Sequence, residues 1–226
     1  MRLVKTGIAN INTTVGAFKV NTDRIIECMD AMQANECTIG SFHEQVVSGY
    51  PCEDLIQWKS YVKSQWKYLE RIVKASSSKK WFPTVFTIGL TVEYNCHLYN
   101  SVVVVMAGKV LGIVPKEKLP TYGVFYEWRT FSRGLPFRTG ILSPSFSSEI
   151  QGPSGNDGIP FGDLIFRFPF GTMGVEVCED IWSPDGPMRR RAYSGAGIIV
   201  NASASPFRVG VVNTRREMIS TRAADN

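Results

Sequence analysis

The sequence lacks the features that mark metal, disulfide and membrane proteins. It has two histidines, His43 and His97, and its five widely spaced cysteines form no CxxC pair. These cysteines and histidines do not have the number and spacing of a typical zinc site, and a disulfide framework is not expected. The N-terminus, MRLVKTGIANI, lacks the apolar run of a signal peptide, and no stretch approaches the roughly 20 apolar residues of a membrane span. These absences predict a reduced, cytoplasmic protein without a metal and without a membrane contact.

The charges and the composition narrow the class further. The formal net charge is +5, and the densest basic run, Met188–Arg191, contains no aromatic residue. A nucleic-acid-binding surface usually carries a stronger basic stripe, so we expect no nucleic-acid partner. The sequence also has no GxxxxGK phosphate loop. Its 226 residues, of which 44% are hydrophobic and 20% charged, fit one globular domain.

Strand-like and helix-like segments alternate along the chain, which favours an α/β fold with a mixed sheet. The stretch SVVVVMAGKVLGIV predicts a hairpin that turns at Ala107-Gly108. Residues 143–160 are rich in Ser, Gly and Pro and predict a flexible loop, and SSSKK predicts a turn after the second helix. That helix is expected to direct one row of side chains to the core, namely Trp58, Val62, Trp66, Leu69 and Val73.

Three reactive side chains fall where predicted strands end. Glu44 closes the second strand, Lys116 follows Val114-Pro115, and Cys178 closes a strand that begins at Thr172. A cysteine attacks as the thiolate, and a neighbouring lysine lowers the thiol pKa from its ordinary value of about 8.5. A glutamate can take the thiol proton and later activate water. Each residue alone also fits a structural role, so the prediction of a nucleophilic site depends on their combination.

The motifs around these residues resemble the nitrilase, or carbon–nitrogen hydrolase, superfamily, which uses a Glu–Lys–Cys triad. The stretches that carry the resemblance are FHEQVVSGYPCEDL, VPKEKLPTYGVFYEWRTF and VEVCEDIW. More narrowly, GYPCED, PKEKLPTYGVFYE, FSRG, EVCEDIWSPDGP and NASASP resemble the N-terminal glutaminase domain of glutamine-dependent NAD+ synthetase. The resemblance runs from residue 1 to 226. It implies an αββα sandwich with two mixed sheets between helix layers, and a homo-oligomer in which sheets pair across subunits.

The resemblance also implies a role for each matching residue. Cys178 would attack the side-chain amide of L-glutamine, Glu44 would be the general base, and Lys116 would stabilise the tetrahedral intermediate. Glu127 matches a second glutamate that supports the lysine. Ammonia would leave, and water would hydrolyse the γ-glutamyl thioester on the cysteine. The residues implied to bind substrate are Tyr122, Ser205, Ser203 and Glu179, the last also through its backbone N–H in the oxyanion hole.

Two departures from the family pattern concern single residues. His43 stands where superfamily members often carry proline, which changes only the local turn. Val211 stands where relatives often carry a basic residue near the substrate carboxylate, so Arg208 is the remaining candidate for that contact.

A larger departure concerns length. In the family the chain continues into a synthetase domain, whose SGGxDS-type loop binds the pyrophosphate of ATP, and this sequence has no such loop. We therefore expect residues 1–226 to form a carbon–nitrogen hydrolase domain that is incomplete at its C-terminus. This domain is implied to need no cofactor, because ATP and Mg2+ belong to the synthetase domain. Its ammonia would serve that partner in converting deamido-NAD+ to NAD+.

Two other functions remain open on the sequence alone. One is a stand-alone amidase or carbamoylase that uses the same triad on another substrate. The other is an inactive fragment that serves as an assembly module. Activity on ω-amides but not on glutamine would favour the first, and a folded chain without hydrolase activity would favour the second.

Overall fold

The structure is a computed structural model that describes residues 3–77, 83–143, 149–155 and 158–226. It contains two β-sheets, six α-helices within the described ranges, and a 3₁₀ turn at Glu53–Gln57. The strands are β1 (Thr6–Ala9), β2 (Ile39–Phe42), β3 (Val85–Tyr94), β4 (His97–Met106), β5 (Lys109–Pro115), β6 (Thr139–Leu142), β7 (Ile159–Gly162), β8 (Ile165–Phe168), β9 (Gly171–Val177) and β10 (Ile198–Ala202). The helices are α1 (Phe18–Ala34), α2 (Lys59–Ala75), α3 (Glu127–Thr130), α4 (Glu179–Trp182), α5 (Pro187–Tyr193) and α6 (Val211–Asp225).

The larger sheet has the strand order β1-β2-β3-β4-β5-β7-β6 and mixes parallel with antiparallel pairs. Strands β1, β2 and β3 are parallel, whereas β3, β4 and β5 form an antiparallel meander. The predicted hairpin is confirmed, because β4 and β5 are joined through Ala107 and Gly108, both at positive φ. The smaller sheet has the order β10-β9-β8, with β10 parallel and β8 antiparallel to β9.

Two apolar layers hold the elements together. The first lies between the larger sheet and helices α1 and α2, where Met29 and Trp66 are fully buried. The second lies between the two sheets, where Val104 of β4 packs in the same cluster as Val175 of β9. Helix α5 covers the other face of the smaller sheet, because the stem of Arg191 lies directly over β9. The order is therefore helix, sheet, sheet, helix, which confirms the predicted αββα sandwich.

Several predicted boundaries differ from the structure. Strands β6 and β7 and the short helices α3 and α4 were not predicted. Within the predicted 143–160 loop, β7 begins at Ile159 and Gly152 bridges to Gly155. Residues 144–148 and 156–157 of that loop, and 78–80 of the predicted SSSKK turn, lie outside the described residues.

The prediction that Trp58 faces the core is wrong. Trp58 precedes the first residue of α2 and is 65% exposed, whereas Val62, Trp66, Leu69 and Val73 are buried as predicted. The cap residue has an extended backbone, with ψ at 115°. Helical spacing therefore does not determine the direction of its side chain, since the periodicity holds only inside the helix.

Candidate active site

The ends of three strands bring Glu44, Lys116 and Cys178 together. Glu44 lies in a turn two residues past β2, Lys116 follows β5, and Cys178 follows β9. Strands β2 and β5 belong to the larger sheet and β9 to the smaller one, so the sandwich joins residues that are far apart in sequence. All three side chains are buried. The structure thus places the three predicted reactive groups at one edge of the space between the sheets.

Lys116 forms a buried ion cluster with two carboxylates. Its Nζ lies 2.7 Å from Oε1 of Glu44 and 2.8 Å from Oε2 of Glu127. Asn100 of β4 donates from Nδ2 to Oε1 of Glu44 at 2.6 Å and to Oε1 of Glu127 at 3.1 Å. The Tyr50 hydroxyl also donates to Oε1 of Glu127, at 3.2 Å. The predicted triad lysine is therefore shared by two glutamates that an asparagine holds side by side.

Sequence reasoning missed Asn100 and Tyr50. Asn100 is fully buried on β4. A buried amide almost always has hydrogen-bond partners, so an asparagine next to the SVVVV run was an available signal. Tyr50 lies in the GYPCED motif, but only the fold brings its hydroxyl to Glu127.

Burial and mutual charge shift the pKa values of this cluster. Burial alone would lower the pKa of Lys116, but Glu44 and Glu127 together raise it above its ordinary value. Burial and the charge of Glu44 raise the pKa of Glu127 to about 7, against the lowering effect of Lys116. Lys116 therefore remains a cation at neutral pH, while Glu127 is close to its midpoint. Because these groups interact strongly, the cluster titrates as a unit.

The turn that carries Glu44 is pressed against β3. A Cβ at Gly89 would lie 2.5 Å from both the Gln45 nitrogen and the His43 carbonyl oxygen, so only glycine fits there. Oε2 of Glu44 accepts the backbone N–H of Ala204 at 3.1 Å. This contact ties the glutamate to the segment after β10, which belongs to the smaller sheet. The carboxylate is thus fixed from both sheets.

Cys178 occupies a sharp turn between β9 and α4. Its backbone has φ 45° and ψ −99°, an uncommon conformation for a residue with a side chain. Such strain persists only where the surroundings enforce it, and it clusters at functional sites. The first N–H groups of a helix have no acceptor within the helix, so the start of α4 places free donors next to the sulfur. Sγ of Cys178 lies 3.2 Å from Oγ of Ser205.

The thiol of Cys178 is protonated in this arrangement. Burial, followed by the charge of Glu44, raises the pKa of Cys178 to about 12, although Lys116 and the Ser205 hydroxyl oppose the rise. The expectation that a neighbouring lysine would depress the pKa therefore describes only one of the competing effects. A base has to remove the proton as the sulfur attacks, and Glu44 is in contact with the thiol.

Cys178 forms part of the wall of a cavity of about 320 Å3. Tyr122, Glu179 and Ser205, three of the predicted substrate residues, also line it. The Tyr122 hydroxyl donates to Oε2 of Glu179 at 2.7 Å, and burial together with Glu179 raises the pKa of Tyr122 to about 12. The fourth predicted substrate residue, Ser203, instead donates to Oδ1 of Asn201. Three of the four thus surround the sulfur.

Two arginines face the same cavity. Arg208 and Arg215 line it together with Val211, which is buried. Arg215 lies one helical turn after Val211 on α6, so it presents a cation close to the position where relatives often carry a basic residue. Sequence reasoning did not find Arg215, because the start of α6 sets which face of the helix meets the cavity. The cavity therefore combines one carboxylate with two guanidinium groups.

Neither a metal nor a membrane contact can be assigned from the described part of the chain. Within residues 3–77, 83–143, 149–155 and 158–226, no group of histidine, cysteine, aspartate and glutamate side chains could hold a metal ion. In the same ranges, no helix is both long enough and apolar enough to cross a bilayer.

Comparison with known proteins identifies the family of the chain. The family model described as carbon–nitrogen hydrolase matches residues 5–226. The chain therefore belongs to the carbon–nitrogen hydrolase family. A glutamine-dependent NAD(+) synthetase from Aquifex aeolicus is 32% identical over 219 residues, which cover 97% of this chain and 33% of that protein. The chain thus spans about a third of the length of this relative.

Solved structures agree on the fold. A glutamine-dependent NAD(+) synthetase from Cytophaga hutchinsonii has a TM-score of 0.81 at 24% identity, covering 96% of this chain and 33% of that one. An amidase from Nesterenkonia sp. AN1, which carries an acrylamide adduct at its active-site cysteine, has a TM-score of 0.73 at 14% identity, covering 99% of this chain and 75% of that one. At these identities the likeness shows the fold alone. The resemblance to the nitrilase superfamily and to the N-terminal domain of these synthetases is confirmed.

Proposed function

We propose that this chain is a glutamine amidohydrolase domain that releases ammonia from L-glutamine through a thioester on Cys178. The observation that carries the proposal is the position of Cys178, which lies in the cavity wall and contacts the Glu44, Lys116 and Glu127 cluster. A thiol can cleave an amide when a neighbouring base takes its proton and a fixed cation stabilises the oxyanion, and all three groups are present here. The similarity to glutamine-dependent NAD(+) synthetases points to the γ-amide of glutamine as the substrate.

The first half of the reaction forms the thioester. Glu44 takes the proton from Cys178 as Sγ attacks the carbonyl carbon of the amide. Lys116 Nζ and the backbone N–H of Glu179 stabilise the negative oxygen, because fixed donors act most strongly where charge develops. When the C–N bond breaks, the proton held by Glu44 passes to the leaving nitrogen, which departs as ammonia.

The second half hydrolyses the thioester. Glu44, again ionised, takes a proton from water as the water oxygen attacks the thioester carbon. The C–S bond breaks, the sulfur recovers the proton, and glutamate leaves. We infer that Glu127 keeps Lys116 oriented through both steps, since its carboxylate lies 2.8 Å from the ammonium group, beside that of Glu44.

The cavity also has partners for the α-ammonium and α-carboxylate groups of glutamine. Glu179 is available for the α-ammonium group, with the Tyr122 hydroxyl bound to one of its oxygens. Arg208 and Arg215 are available for the α-carboxylate, since guanidinium groups bind carboxylates well. Ser205 lies close to the sulfur and is suited to contact the reacting amide, whereas the hydroxyl of Ser203 is already used by Asn201.

We further propose that the ammonia serves a synthetase domain that amidates deamido-NAD+ with ATP and Mg2+. The similar synthetases are about three times as long as this chain, which leaves room in them for such a domain. The hydrolase domain itself needs no cofactor under this proposal. A cytoplasmic location and a homo-oligomer, both implied by the sequence and its resemblance, complete the proposal.

The test is ammonia release from L-glutamine, measured beside asparagine and a simple ω-amide. We expect selective release from glutamine that disappears in Cys178→Ala and persists in Cys96→Ala, a control at an exposed cysteine. Circular dichroism on the same samples shows whether each variant is folded. Release from the ω-amide but not from glutamine would replace the proposal by a stand-alone amidase. A folded chain that releases nothing would favour an inactive module.

A further inference from the structure

Asp180 lies two residues after Cys178 and is buried. Its exposure is 1%. The positive charges of Arg191 and Lys116 favour the ionised form of its carboxyl group. Glu176 and Glu117 are the acidic groups that face the same space. A buried carboxylate is costly unless its oxygens are satisfied, so its hydrogen bonds show what it stabilises.

The carboxylate of Asp180 binds backbone amides from two different segments. Oδ1 accepts the N–H groups of Glu117 at 3.0 Å and of Lys118 at 2.8 Å. Oδ2 accepts the N–H of Val177 at 2.9 Å. The first two residues directly follow Lys116, and the third directly precedes Cys178. One side chain therefore connects the segment that carries the cation to the turn that carries the nucleophile.

We propose that Asp180 is a positioning residue that sets where the sulfur of Cys178 lies relative to the Lys116 ammonium group. Strands β5 and β9 belong to different sheets, so sheet hydrogen bonds do not fix the relative position of their ends. The positive φ of Cys178 also has to be held by its surroundings. Oδ2 restrains this turn through the amide before the cysteine, while Oδ1 anchors it to the residues after the lysine.

Asp180→Asn tests this role, because it keeps the size of the side chain and removes one acceptor. If the amide oxygen stays on Glu117 and Lys118, the new NH2 group faces the Val177 N–H, where two donors oppose each other. Asp185→Asn is the matched control, since Asp185 is exposed and forms an ion pair with the side chain of Lys118. The first readout is the rate of Cys178 alkylation by iodoacetamide between pH 6 and pH 10, followed on the isolated peptide by mass spectrometry.

We expect Asp180→Asn to raise the alkylation rate at least tenfold at each pH in this interval. The parent thiol, with a pKa of about 12, is almost fully protonated there, and a fall of one unit towards the ordinary cysteine value of about 8.5 raises the thiolate fraction about tenfold. The reason is that burial is the largest cause of the high pKa of Cys178, and a released turn exposes the sulfur. Glutamine hydrolysis should nevertheless fall at least tenfold in kcat, with KM changing less than threefold. Only this second readout rests on the proposed glutaminase function. An inactive parent chain would therefore refute that function and leave the alkylation test intact.

A folded Asp180→Asn variant whose alkylation rates equal those of the parent and of Asp185→Asn across the interval would overturn the proposal. If the variant does not fold, amide hydrogen exchange in the parent chain decides instead. The amides of Glu117 and Lys118 should then exchange at least a hundredfold more slowly than those of an exposed loop. Exchange at the rate of an exposed loop would mean that the carboxylate does not hold this segment.

Discussion

Replacing Lys116 by methionine tests the central arrangement, because it removes the cation and nearly preserves the volume. In the parent, Nζ lies 2.7 Å from Glu44 and 2.8 Å from Glu127, and the side chain is fully buried. Without it, two buried carboxylates face each other with no counter-ion in the cluster. Breaking a buried ion pair by removing one partner costs about 3–5 kcal/mol, a large part of a typical folding free energy of about 5–15 kcal/mol.

The loss of stability should depend on pH. Lys116 lowers the pKa of Glu127, so its removal raises that pKa further above about 7. A glutamate whose pKa is higher in the folded than in the unfolded state binds more protons when folded, so stability falls as pH rises between the two values. We therefore expect Lys116→Met to be less stable at pH 9 than at pH 6. Urea unfolding at both pH values, followed by circular dichroism, measures the difference.

Two further variants show whether the loss of stability is specific to the buried lysine and its carboxylate partners. Lys118→Met removes a cation whose ion pair with Asp185 is partly exposed, so it should cost only about 0–1 kcal/mol. Lys116→Met combined with Glu127→Gln removes one of the opposed carboxylates and should recover part of the stability. The same Lys116→Met variant should lose about 10²–10³-fold in kcat as an oxyanion donor disappears. Equal losses for the two single lysine variants, independent of pH, would refute the reasoning.

The remaining predictions concern groups around the triad. Gly89→Ala forces the turn of Glu44 to move, because a Cβ there would lie 2.5 Å from its backbone. An ångström of misplacement can cost about 10²-fold in kcat, whereas Gly197→Ala, with nothing within 4 Å of a Cβ, should leave ammonia release unchanged. Asn100→Leu removes the hydrogen bonds to both carboxylates and should lower the free energy of unfolding by about 2–3 kcal/mol; a loss below about 0.5 kcal/mol in urea unfolding would contradict this. Burial and nearby acids raise the pKa of Glu176 to about 8, so the parent loses stability as pH rises from about 5 to 8. Glu176→Gln should therefore gain roughly 2–4 kcal/mol over the parent across that interval, and a difference that stays constant with pH would contradict the assignment.

Much of the fold follows from local patterns. The long helices α1 and α2 and strands β3 to β5 repeat apolar residues over enough positions to be recognised, and the Ala107-Gly108 turn separates two of them. The limits of local reasoning lie at the ends of elements. Trp58 fits the helical period of α2, yet it lies at the cap and is exposed. Strands β6 and β7 were not predicted, and their pairing to each other and to β5 depends on contacts distant in sequence.

The candidate catalytic residues were predicted from motifs, whereas their pKa shifts were not. The positions of Glu44, Lys116 and Cys178 in the sequence do not reveal that Cys178 is buried. This burial is the largest cause of its thiol pKa of about 12. Burial is a property of all the elements packed around a group, so it has no local signal. For the same reason, the contact of Asn100 with both glutamates became visible only in the folded chain.

The sequence by itself determined the residue types of the site, the alternation of helices and strands, and the family to which the motifs belong. These are local properties, since helical and strand periods and the residues flanking a strand end can be read within about ten positions. Only the tertiary structure decided that the ends of β2, β5 and β9 meet, that Arg215 faces the cavity, and that Asp180 binds amides on both sides of the site. Those contacts join residues separated by tens of positions, and their geometry is set by the packing of two sheets against each other.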